Sequence, residues 1–265
     1  MQYQTVLKKM MTELNNEVYY YLDVENDILN LNQLLDRVIE ISFEGCQCLN
    51  CGKAKKIFRQ GFCYDCFYES AAVGDWIMKP ELSKAHLGIA DRDLDFEKQV
   101  QLKPHVVYLA LSSNVKVGVT RKTQVPTRWI DQGASKAIEI VEVPNRYLAG
   151  ITEVALKAYV SDKTSWQKML KNEISDADLF EEREKLKAYI PEEAQPYFLE
   201  NIRKITEIEY PVLQYPKKIK TLNLEKAQHY SGKLKGIKGQ YLIFEDNTVF
   251  NVRNNEGYKV ILTIK

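Results

Sequence analysis

Between residues 106 and 156 the apolar and polar positions predict a small α/β unit. Val106-Val107-Tyr108-Leu109-Ala110-Leu111 is one apolar run, broken by Ser112-Ser113-Asn114 and resumed in Val115-Lys116-Val117-Gly118-Val119-Thr120. Two such runs around a short polar turn predict a β-hairpin. Residues 127–132 have helix-forming character, with Pro126 near the start and Gly133 as a stop. Ile138-Glu139-Ile140-Val141-Glu142-Val143 alternates apolar with acidic, which predicts a third strand with one wet face. A second helix is expected over residues 147–159, with Leu148, Ile151, Val154, Ala155 and Ala158 on its buried stripe. The order is β-β-α-β-α.

Both ends of the chain carry strand-like texture. Residues 17–24, 28–31 and 38–43 are dense in β formers, with a polar turn at Glu25-Asn26-Asp27, and suggest a small antiparallel sheet within the first 45 residues. Near the other end, strands are expected at residues 233–234, 240–244, 248–253 and 258–264, separated by Asp246-Asn247 and Asn254-Asn255-Glu256-Gly257. Each terminal segment has too few strands to stand alone. The ends therefore either pair into one partly closed barrel or form two sheets packed on the central lobe. Residues 161–201 turn helical and charged, and the mixed signs of residues 181–187 read as a solvated helix face.

The expected organisation is α+β. Its parts are an N-terminal β segment (1–45), a cysteine module (46–70), a connecting segment (71–104), the α/β lobe (105–160), a helical extension and linker (161–224), and a C-terminal β segment (225–265).

Charge changes the picture little. With 37 basic and 36 acidic residues the net charge is +1, so any pull on a polyanion must come from local segregation. Apolar runs are too short for a membrane span, and the polar start lacks a secretory core, which makes a cytoplasmic protein the simplest expectation. Five clustered cysteines point to a reducing compartment and a metal rather than a disulfide framework.

Cys48 and Cys51, then Cys63 and Cys66, form two Cys-x2-Cys turns. Four thiolates in that pattern make a closed tetrahedral site for structural zinc. Cys46 is a fifth thiol able to take the place of Cys48. A redox pair is the rival reading, but two such turns without a βαβ context argue against it. Lys53, Lys55, Lys56 and Arg59 are interleaved with Phe58, Phe62 and Tyr64. Basic and aromatic residues together can grip phosphates and stack bases. A small metal module equally needs such aromatics for its own interior.

The β-β-α-β-α lobe resembles the GIY-YIG nuclease superfamily. Val106-Val107-Tyr108 stands at its first tripeptide and Lys116-Val117-Gly118 at its second, with Lys116 in place of a tyrosine. Arg128 stands at the arginine of the first helix and Glu153 at the metal-holding glutamate of the second. The chain as a whole also resembles an uncharacterised bacterial zinc-knuckle family, through its paired cysteines, His86-Leu87-Gly88, and Lys116-Val117-Gly118-Val119-Thr120-Arg121.

The superfamily likeness implies a site in which Tyr108 assists deprotonation of water, Arg128 faces the phosphate and Glu153 holds Mg²⁺. Lys116 and Arg121 would contact the substrate. Plainer readings stand beside these. Tyr108 is then a packed core aromatic, and Arg128 and Glu153 pair with each other or face solvent. His86, ahead of the acidic run 91–97, reads as a structural hydrogen-bonder unless those carboxylates make it an acid–base group.

The expectation is a nucleic-acid-binding protein, on DNA or RNA, with Mg²⁺-dependent phosphodiester cleavage at that site. The alternative is a non-catalytic binding or assembly module that keeps the fold, and a protein partner fits it. No membrane partner is expected.

Overall fold

The β-rich runs at the two chain ends, each too short to close a sheet, pair with one another. The structure is a computed structural model, described for residues 1–25, 27–160, 165–202 and 204–265. Asn26 in the expected first turn, and residues 161–164 and Arg203 in the expected helical extension, lie outside the described residues.

In chain order the strands are β1 (Gln2–Val6), β2 (Met11–Leu14), β3 (Val18–Val24), β4 (Asp27–Asn30), β5 (Val38–Cys46), β6 (His105–Leu111), β7 (Val115–Arg121), β8 (Lys136–Val143), β9 (Thr206–Glu207), β10 (Lys220–Thr221), β11 (His229–Lys238), β12 (Tyr241–Phe244), β13 (Thr248–Asn251) and β14 (Tyr258–Ile264). The helices are α1 (Tyr64–Glu69), α2 (Leu94–Gln101), α3 (Thr127–Asp131), α4 (Arg146–Lys157), α5 (Trp166–Leu170), α6 (Leu179–Lys187) and α7 (Leu224–Ala227). They fall into two units. Unit 1 comprises Met1–Tyr68, Ile130–Gly133 and Glu209–Lys265; unit 2 comprises Glu69–Trp129 and Ala134–Ile208.

Unit 1 holds a seven-stranded sheet in the order β1-β14-β5-β11-β12-β13-β10 and a three-stranded sheet, β2-β3-β4. The larger sheet interleaves the two ends: Ile41 of β5 lies between Leu262 of β14 and Tyr230 of β11. The small antiparallel sheet expected within the first 45 residues is present as β2-β3-β4, but the run 38–43 is not part of it, because β5 leaves its sequence neighbours for C-terminal strands. There Ile39 and Ile41 are buried. The ends pair, which is one of the two arrangements expected, and they do so without closing a barrel. The sheet is open, with β1 and the two-residue β10 as its edges, and the described residues contain no closed barrel. Nor are there two separate terminal sheets, since β11 runs through from β5 to β12, with a bulge between Leu234 and Gly236.

Unit 2 is built on a four-stranded sheet, β7-β6-β8-β9. Every residue of the central strand β6 is buried. The hairpin register sets Tyr108 opposite Gly118 and Ala110 opposite Lys116. With α3 and α4 following, the β-β-α-β-α order is present.

Asn145 caps α4, accepting from the Leu148 N–H at 2.9 Å. The helix is turned from the expected stripe. Ala149, Thr152, Glu153 and Leu156 are buried, whereas Val154 is 48% exposed and Ala158 is also outside. The cause is a second covering layer. A Cβ on Gly150 would lie 2.2 Å from the Glu81 nitrogen, so the segment around residues 80–82 presses on the helix backbone. With cover on the sheet side and on this side, polar Thr152 and Glu153 fall inside.

In α6 the charged face is solvated as expected, apart from Arg183. That guanidinium is buried, donates to the carbonyls of Glu139 and Leu199, and lies 4.3 Å from the Phe198 ring centre.

Candidate functional site

Strand alternation sorts the hairpin residues of unit 2 onto two faces. Tyr108, Ala110, Lys116 and Gly118 share one face. Val107, Leu109 and Val117 share the other, where they pack with Ala149 and Leu156 of α4. Tyr108 is 0% exposed, its ring edge-on to Trp129 at 5.8 Å and its hydroxyl over Gly118, where a Cβ would lie 2.6 Å away. Its phenol is therefore enclosed, and α4, which carries Glu153, covers the opposite face.

The basic residues do gather. Lys116 feels the positive charge of Arg128; burial first, and that guanidinium second, push its ammonium down to about 8. Arg146, at the start of α4, is pushed down to about 10 by burial, with Glu153 opposing and Arg121 and Arg128 adding to the shift. Arg146 is aimed by two carbonyls, donating from Nε to Trp76 at 3.0 Å and from a terminal nitrogen to Ile77 at 2.8 Å. Glu153 is raised, chiefly by burial, while Lys157 at 3.3 Å and Arg146 act the other way. Lys116, Arg121 and Arg128 are half-buried and form no ion pair with a described residue. Arg146 thus feels two further guanidinium groups and one buried carboxylate, and that carboxylate also feels Lys157 and Glu81.

Of the residues expected in the site, Lys116 is brought near Arg128. Arg121, Arg128 and Glu153 each act electrostatically on Arg146. Tyr108 is held apart by burial.

Unit 1 carries the second site. The sulfurs of Cys48, Cys51, Cys63 and Cys66 all lie within 4.8 Å of one another. Around one zinc, with Zn–S about 2.3 Å, sulfurs sit about 3.8 Å apart, so the cluster is of the right size for one ion. Gly52 (φ 68°) and Gly61 (φ 76°) make the left-handed turns beside the cysteine pairs, a region L-residues resist. Burial alone would raise the Cys48 thiol, but N–H groups of Cys51, Cys63 and Asn50 directed at its sulfur bring it down to about 6. The Cys63 N–H reaches that sulfur at 3.3 Å. Cys46 lies in β5 opposite Tyr258 and outside the cluster, so the repeated two-residue spacing marks the set.

With both geometries in view, the comparison with known families is decisive at one level. Residues 36–260 match the family described as "Protein of unknown function (DUF2797)". The chain belongs to this family. No curated protein and no solved structure matches it.

In this DUF2797 chain, Arg146 is the site residue that sequence reasoning missed. The sequence shows only that it follows the Pro144-Asn145 helix start on the helix that carries Glu153; its orientation comes from the distant Trp76 and Ile77 carbonyls. His105 also lies among these charges. Burial lowers it to about 4, Arg146 and Arg121 add to that, and its Nδ1 is 2.7 Å from the Lys103 carbonyl. The neutral ring then donates from Nδ1.

His86 stacks on Tyr147 at 4.5 Å. In the acidic run, Glu97 is committed to the backbone, accepting from the N–H groups of Asp91, Arg92 and Asp93 at 2.7 to 3.1 Å.

Proposed function

We propose that this DUF2797 chain binds nucleic acid, with the cluster of Lys116, Arg121, Arg128 and Arg146 receiving the phosphodiester backbone. The observation that carries the reading is that Lys116, Arg121 and Arg128 are half-buried and form no ion pair with a described residue. Burial and neighbouring cations lower Lys116 and Arg146, and Glu153, the carboxylate that acts on Arg146, is already paired to Lys157. A phosphate placed there would relieve that repulsion and gain charge-assisted hydrogen bonds from guanidinium groups. The likeness to GIY-YIG nucleases supports the same placement, since Arg128 stands at that superfamily's phosphate-facing arginine.

A second reading adds Mg²⁺-dependent cleavage, and Glu153 is what favours it. A single carboxylate can hold Mg²⁺ together with substrate phosphate and water. Here it is ion-paired to Lys157, with which a metal would have to compete. The enclosed Tyr108 and the lysine at position 116 favour binding without cleavage.

The test is oligonucleotide binding by fluorescence anisotropy across a salt series, with cleavage assayed in Mg²⁺. Arg128→Ala should weaken binding to all sequences alike and reduce the salt slope by about 1. Cutting that vanishes in Glu153→Gln, with binding kept, would establish the second reading. Binding of wild type that Arg128→Ala and Arg121→Ala leave unchanged would sink the first.

A further inference from the structure

The zinc module presents aromatic rings outward. Tyr64 is 61% exposed, Tyr68 53% and Phe58 41%, although a module of this size has few other apolar groups with which to build an interior. The rings form one continuous cluster. Phe58 meets Tyr64 at 5.2 Å and Phe67 at 5.2 Å, and Tyr64 meets Tyr68 at 4.8 Å. Interplanar angles of 70°, 73° and 52° mean that the rings meet edge-on or tilted rather than covering each other's faces. Arg59 lies 5.4 Å from the Phe58 ring centre.

Basic charges outnumber acidic ones beside these rings. Lys53, Lys55, Lys56 and Arg59 are all exposed, against Asp65, paired to Lys55 at 2.6 Å, and Glu69 at the end of α1. Lys53, Lys56 and Arg59 form no ion pair with a described residue. Of the four clustered cysteines beneath, three are buried.

We propose that this face of the zinc module is a stacking platform for single-stranded nucleic acid, with Tyr64 and Tyr68 taking bases and Lys53, Lys56 and Arg59 taking the phosphates between them. A single strand is the partner that offers flat π-faces and a regular row of negative charge together, whereas a duplex hides its base faces. A protein segment rich in acids would match the charge but not the open rings. The platform lies in unit 1 and does not depend on the cationic cluster of unit 2.

The experiment uses the full-length chain with its zinc content measured. Fluorescein-labelled oligothymidylate, an abasic oligonucleotide of the same length, a duplex and anionic phospholipid vesicles are the probes. All are also run on an Arg121→Ala/Arg128→Ala background, which removes the other proposed site. Tyr64→Ala/Tyr68→Ala should weaken oligothymidylate binding about tenfold or more, the scale of losing one or two stacked bases. The abasic strand and the duplex should change by less than about twofold. Tyr64→Phe/Tyr68→Phe, which keeps the π-faces, should restore binding. Should the alanine variant lose zinc, photo-cross-linking of the wild type to 5-iodouracil strands replaces it, with Tyr64 or Tyr68 as the expected adducts.

Equal loss on the abasic strand, no loss at all, adducts elsewhere, or a loss confined to vesicles would overturn the platform. Binding that resists Arg121→Ala/Arg128→Ala but falls in the tyrosine variant would leave the platform standing and reject the unit 2 site.

Discussion

Lys116 shows how one position ties the stability of unit 2 to its proposed ligand. It stands on the strand face shared with Tyr108, half-buried and near Arg128, with its ammonium pushed down to about 8 from an ordinary 10.5. The folded chain therefore holds this proton less tightly than the unfolded chain. The residue's unfavourable contribution is full below about pH 8 and fades as pH rises to about 10.5. Lys116→Met should accordingly raise stability to urea at pH 7, with the difference from wild type shrinking toward pH 10. In the wild type, nucleic-acid affinity should fall between pH 7 and 9, and Lys116→Arg should flatten that fall. A methionine variant less stable than wild type at pH 7 would show that the amine is held by favourable contacts.

The type of residue at 116 was legible from the chain; its neighbourhood was not. Arg146 is the same lesson from the other side. What makes it part of the cluster is a pair of carbonyls at Trp76 and Ile77, about 70 positions earlier in the chain. No local pattern carries that information.

Among the elements, the cysteine module is the one most nearly written in its own sequence. Two Cys-x2-Cys turns with glycines beside them bring four sulfurs together, because ligand geometry is local and each turn is short. One zinc per chain is expected by elemental analysis. Cys46→Ser should retain it, whereas Cys48→Ser should lose it and destabilise residues 46–68; equal metal content in the two variants would reassign the ligands.

The hairpin of β6 and β7 was just as readable, since its two runs and polar turn are contiguous. The stripe of α4 was not. Periodicity locates an apolar arc, but α4 is covered on two sides, and Gly150 against Glu81 decides which residues go inside. The aromatics of the module were ambiguous for a similar reason. The sequence sets Phe58, Phe62 and Tyr64 beside the cysteine pairs, while their exposure and the addition of Tyr68 to the cluster depend on the fold.

For the whole molecule, the interleaved sheet of unit 1 makes the two chain ends one folding unit. β5 is flanked by β14 and β11, and β1 pairs with β14, so the N-terminal strands have C-terminal neighbours. Removing residues 225–265 strips both partners from β5 and the partner from β1. The truncated chain should lose cooperative unfolding of unit 1, seen by near-ultraviolet circular dichroism and hydrogen exchange at residues 38–46. A cooperative remainder with protected β5 amides would contradict this.

The sequence by itself determined the β-β-α-β-α order of residues 106–156, most of the C-terminal strands, which four cysteines come together, and that charge must act locally in a chain with a net charge of +1. These follow from period, turn chemistry and ligand spacing, all of which act over a few residues. The tertiary structure alone decided that β5 joins the far end of the chain, that the sheet stays open, that Tyr108 is enclosed, and that Arg146 is held by the Trp76 and Ile77 carbonyls within the field of Arg128 and Glu153. Each depends on which surfaces cover one another, and burial is a property of segments brought together from distant parts of the chain.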